Sequence, residues 1–116
     1  MSQRVLAVLD DLFFTVKINE SAKRAGLAIE FVKSEKDAVE RAKTNPALVI
    51  IDLNCRSVDP LALVGKLKGI RLIGYLSHVQ GELKQKAQEA GCDVVLARSA
   101  FSRDLPQILR SVAAQA

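Results

Sequence analysis

The chain has no tryptophan, one tyrosine, four phenylalanines, one histidine, two cysteines and three prolines. So few rings leave little surface on which bases could stack. Nucleic acid is therefore an unlikely partner on these grounds, although the net charge is +4. The basic residues, among them Lys17, Lys23, Arg24, Lys33, Arg41, Lys66 and Lys84, are scattered and suit solvated outer helix faces better than a binding stripe. Cys55 and Cys92 match no zinc or redox spacing. With a single histidine and no HExxH, nothing argues for a transition-metal site. No apolar run approaches the ~20 residues that cross a bilayer. The opening MSQRVLAVLDD meets two acids too soon for a signal peptide. The expectation is a cytoplasmic protein with no membrane contact and two reduced, structural cysteines.

What the chain does have is 116 residues, 49% of them hydrophobic and 26% charged. That composition suits one globular domain over residues 1–116. Short β-rich runs alternate with helical periods. RVLAVL (4–9), AIEFV (28–32), ALVIID (47–52), IRLIGY (70–75) and DVVLA (93–97) read as strands, the third apolar on both faces and so central. Phe14, Ile18, Ala22 and Ala25 share one helix face, which Gly26 stops. Ser34 to Asp37 forms an acidic capping box, and Asn45-Pro46 ends the helix it opens. Asp59 and Pro60 start a third helix as cap and first residue. Leu83, Ala87 and Ala90 face inward on a fourth that Gly91 closes. Leu105, Ile108, Leu109 and Val112 line a fifth, and Pro106 is expected in its first turn. Phe101 reads as core or helix staple. Strand then helix, repeated five times, means parallel strands with right-handed crossovers. The expected fold is α/β, an open doubly wound five-stranded parallel sheet in the order 2-1-3-4-5, with helices on both faces.

Ligands of such sheets gather at the carboxyl ends of the strands, beside the first and third. LVIIDLN ends the third strand on Asp52, and Asp10 and Asp11 follow the first. Three carboxylates in one crevice repel and raise one another's pKa unless a cation joins them. Mg²⁺ is one candidate, because it takes carboxylate oxygens. Arg98, just past the fifth strand, is the other. His78, after the fourth strand, reads as a surface loop residue, and Phe13 as a weak candidate for a contact residue.

VLAVLDD, LVIIDLN and AGCDVVLARS, with the helices between them, resemble the receiver domain of bacterial two-component response regulators. The resemblance covers roughly residues 4 to 114. It implies a flavodoxin-like, CheY-like three-layer sandwich and a role in phosphorelay signalling rather than catalysis of its own. It also implies that Asp52 accepts a phosphoryl group from a histidine kinase or phosphotransfer protein. Asp10, Asp11, Asp52 and the backbone of Asn54 would hold Mg²⁺. In that setting the carboxylate is the nucleophile, and the cations offset charge on the transferring group.

The chain departs from the family pattern at several places. Leu9 falls where the first acid of the pair belongs, unless a one-residue slip makes the pair Asp10 and Asp11. Leu76 falls on the Thr/Ser position, with Ser77 one beyond it. Arg98-Ser99 replaces Lys-Pro, and Arg differs from Lys in shape and hydration. Val95 takes the place of the aromatic that rotates during switching. Two readings follow. One is a receiver that switches on phosphorylation and signals to a downstream protein, over the face of the fourth and fifth helices. The other is a degenerate receiver that binds its partner without phosphoryl chemistry, with Arg98 paired to Asp52 and Leu76 filling the phosphate site. A flavodoxin-like nucleotide binder is disfavoured, because DDLFF offers no glycine-rich backbone to cradle phosphate.

Overall fold

The structure is a computed structural model and describes residues 4–77 and 81–114. His78 lies outside the described residues. Five strands and five helices alternate along the chain: β1 (Arg4–Val8), α1 (Leu12–Ala25), β2 (Ala28–Val32), α2 (Glu35–Ala42), β3 (Leu48–Asp52), α3 (Pro60–Lys66), β4 (Leu72–Leu76), α4 (Gly81–Ala90), β5 (Val94–Ala97) and α5 (Arg98–Ala113). The strands form one sheet in the order β2-β1-β3-β4-β5, and every pair is parallel. The doubly wound α/β architecture expected from the alternation is the one observed.

The local signals act where they stand. Gly26 adopts a left-handed φ of 74° after α1, and its N–H returns to the carbonyls of Ala22 and Lys23. The Ser34 side chain accepts from Asp37 N–H at the head of α2. Asp59 accepts from Ala62 N–H, with Pro60 opening α3. Each of these devices satisfies helix-end groups that would otherwise lack partners.

Strand alternation sorts the apolar residues into two cores. Leu6, Val8, Val49, Ile51, Leu72 and Leu76 meet α2, α3 and α4 on one face. Val5, Ala7, Leu48, Ile50, Ile73 and Tyr75 meet α1 and α5 on the other. Phe14, Ile18, Phe101, Leu105 and Leu109 supply the helical side of that second core, so Phe101 is a core residue. β3 sits between β1 and β4, covered on both faces, which is why its sequence is a continuous apolar run.

Two expectations need correction. α5 begins at Arg98, directly after β5, so Pro106 lies in the helix interior and not in its first turn. It is exposed there, and its ring replaces the N–H that would bond the Ser102 carbonyl. β4 starts at Leu72, two residues later than the apolar run suggests. A turn at Gly69, with φ 88°, occupies the chain before it, and the Asp93 side chain accepts from Leu72 N–H at 2.8 Å as the strand begins.

Candidate functional site

The site lies at the carboxyl edge of the sheet, where β1, β3 and β4 end. Asp52 continues the face of Leu48 and Ile50, one residue beyond the roof of the core. It pairs across the sheet with Tyr75, whose side chain is 2% exposed. The carboxylate is half-buried, and Oδ1 accepts from Asn54 N–H at 2.9 Å. Burial raises the Asp52 pKa above the ordinary carboxylate value. The Asn54 N–H opposes that rise, the charge of Asp10 adds to it, Arg98 lowers it and Asp11 adds again.

Asn54 ties two strand tips together. Its Oδ1 accepts from Ser77 N–H at 2.7 Å, which joins the loop after β3 to the end of β4. Ser77 therefore enters the site through its backbone, and its residue is exposed. Leu76 is 2% exposed and belongs to the core on the α2–α4 face. A hydrocarbon thus stands where the resemblance asks for a hydroxyl. Leu9 is equally buried, against α1 and α5.

Asp11 is the N-cap of α1. Its Oδ1 accepts from Phe13 N–H at 2.9 Å and from Phe14 N–H at 3.4 Å. Its Oδ2 pairs with Arg98 Nη2. The guanidinium carbon of Arg98 also stands 4.5 Å from the centre of the Phe14 ring, a cation–π geometry. Arg98 is thus held by Asp11 and not, as the degenerate-receiver reading expected, by Asp52. The reason lies in α5: because the helix starts at residue 98, the side chain leaves its first turn toward the start of α1. Asp10 is exposed in the connection between β1 and α1.

Three aromatic rings floor the site. Tyr75 stacks on Phe101 with centroids 4.6 Å apart and planes 7° apart, and Phe14 lies 5.0 Å from Tyr75. The Tyr75 hydroxyl is buried with no hydrogen-bond partner among the described residues. Burial, then the charges of Asp52 and Asp11, push its pKa up. Phe14 was legible as core, Phe101 as core or helix staple and Tyr75 as the end of the fourth strand, but none of them as the support of the pocket. The available signal was scarcity, since three of only five aromatics meet at one strand edge. A cleft of 520 Å³ beside them is lined by Phe13, Phe14, Ser77, Ala97, Arg98, Ser99 and Ser102.

Of the carboxylates expected to hold a divalent metal, Asp11 is already committed to other partners. Among the described residues no three His, Cys, Asp or Glu side chains group closely enough to hold an ion. Both oxygens of Asp11 are already engaged, by the helix cap and by Arg98.

No family model matches the chain, and no curated protein is similar enough to count as a relative. Solved structures are. The chemotaxis response regulator CheY4 of Vibrio cholerae superposes with a TM-score of 0.80 at 19% identity, covering 97% of this chain and 99% of that one. The CheY-like response regulator receiver domain from Methylobacillus flagellatus gives 0.77 at 25% identity, covering 97% and 99%. The BeF₃-activated DrrB receiver domain gives 0.81 at 16% identity, covering 97% of each. The chain has the CheY-like receiver fold.

Proposed function

We propose that this receiver-fold chain is a signalling module of a two-component system, acting by protein contact in the cytoplasm rather than as an enzyme. The observation that carries this reading is an apolar ridge at the start of α1. Leu12, Phe13 and Val16 are 73%, 67% and 57% exposed. They point away from the Phe14–Ile18–Ala22 stripe that packs on the sheet. Phe13 and Val16 also border a 590 Å³ cleft between α1 and α5, with Lys17, Glu20, Ser21, Arg24, Ser102 and Pro106. Exposed apolar side chains gathered beside a cleft are where a partner gains binding energy. This moves the proposed contact from the α4–α5 face to the α1–α5 face. The direct test is binding of the purified histidine kinases and phosphotransfer proteins of the source organism to wild type and to Phe13→Glu. A lost hot spot costs roughly ten-fold or more in affinity. Equal affinity of the two, with unchanged circular dichroism, would remove the ridge from the interface.

A second reading, acceptance of a phosphoryl group by Asp52 from a histidine kinase, is favoured by the placement of that carboxylate. It ends the central strand, one oxygen is fixed by Asn54, and Arg98 is close enough to lower its pKa. In the transfer a carboxylate oxygen would bond to phosphorus as the P–N bond of a phosphohistidine breaks, the imidazole leaving with the bonding pair and then taking a proton. Leu9 and Leu76 in the core, and Arg98 held by Asp11, weigh against efficient transfer. Incubation with acetyl phosphate and Mg²⁺, followed by intact mass, decides it. A phosphoryl adduct absent from Asp52→Asn supports the reading, and no adduct on wild type removes it.

A further inference from the structure

We propose that Arg98 is a tethered replacement for a divalent cation, so that Asp11 at the acidic edge of this domain is paired and ordered from within and the edge takes up no metal. Asp11 is the hinge of the assignment. One of its oxygens caps α1 through Phe13 and Phe14 N–H, and the other pairs with the Arg98 guanidinium. A metal ion would have to displace Arg98 to reach that oxygen. The guanidinium carbon further stands over the Phe14 ring, 4.5 Å from its centre, and Phe14 packs against Tyr75 and Phe101. The cation is therefore positioned by Asp11, by the Phe14 ring and by the first turn of a 16-residue helix. An Arg so placed needs no dehydration of an ion, and its planar fork loses little freedom on pairing. Its charge also reaches Asp52, so one side chain serves the tips of β1 and β3 together. The remaining residues of the cluster do not offset this. Asp10 is exposed, and Leu9, which falls where the family has its first acid, points into the core.

This role is independent of the α1–α5 docking surface, and different measurements test the two. Thermal unfolding of wild type is followed in EDTA and in Mg²⁺ or Mn²⁺ at roughly ten times a millimolar dissociation constant, where an ion bound to the folded state raises Tm by about 3–6 °C. Wild type is expected to shift by less than about 1 °C, well below that bound-ion response. Mn²⁺ is expected to leave the amide signals of Asp10, Asp11 and Asn54 unbroadened. Arg98→Ala, and Arg98→Gln should the alanine variant not fold, are expected to melt lower. With Asp11 released, they are expected to regain stability on adding the divalent ion. Saturable stabilisation or site-specific broadening in wild type overturns the assignment. So does a folded Arg98 variant that shows no response to the ions.

Discussion

Asp52 carries an energetic cost that its position imposes. The chain before it is sealed from water, and the carboxylate emerges half-covered above a tyrosine ring. Desolvation disfavours the charged form more than the Asn54 N–H and Arg98 favour it, so the folded pKa lies above the unfolded value of 3.8. Between those two values the folded state binds more protons than the unfolded state. Stability therefore falls as pH rises through that window, and remains lower at neutral pH. Asp52→Asn keeps the acceptor for Asn54 N–H and deletes the charge. It is expected to stabilise the protein at pH 7 by roughly 0.5–2 kcal/mol, the usual gain from relieving a strained site. The gain should shrink as pH falls through the folded pKa to the unfolded value of 3.8. Urea unfolding at both pH values measures it, and destabilisation at pH 7 would mean that the charge is better paired than the geometry indicates.

At the scale of the element, α5 contains its own interruption. Pro106 stands in the helix interior on the exposed face, while Leu105 and Leu109 on either side of it are fully buried. Burial of that stripe holds the helix together across the missing hydrogen bond. Next to the break, Lys17 Nζ of α1 donates to Ser102 Oγ, so a side-chain contact bridges the helices at the turn that the proline weakens. Pro106→Ala restores an N–H to the Ser102 carbonyl. An interior proline costs a helix about 3 kcal/mol. The freer unfolded chain of the alanine variant takes back about 0.4–1 kcal/mol. A net gain of about 2–2.6 kcal/mol is expected, read as a rise in denaturation midpoint with an unchanged m-value. A loss would show that the proline shapes the α1–α5 cleft at the expense of nothing in the helix.

For the whole molecule, the sheet is a shared wall between two cores. β1 and β3 send alternate residues to each, so neither core can dissolve without exposing the strands that line the other. One cooperative transition is the consequence. Leu63→Ala, on the α3 side, and Leu105→Ala, on the α5 side, are each expected to cost about 2–5 kcal/mol. In both variants far-UV circular dichroism and Tyr75 fluorescence should fall together. Separate midpoints for the two probes in either variant would show two independently melting layers.

The order of elements, the helix ends at Gly26, Ser34 and Asp59, and the buried central strand were all determined by the sequence, because each depends on residues within one turn or one strand of each other. Periods of 2 and 3.6 fix which face is apolar before any other element arrives. The placement of Asp52 at the carboxyl edge followed from that pattern. The choice of partner for Arg98 did not. It stands 87 residues from Asp11, and only the packing of α5 against α1 selects Asp11 over Asp52. The same docking set a cleft beside the outward Phe13 and Val16, while the register of β3 on β4 put Tyr75 beside the acid. Charge and aromatic pairing across the edge of a sheet depend on distances between elements, and those distances exist only once the layers have closed.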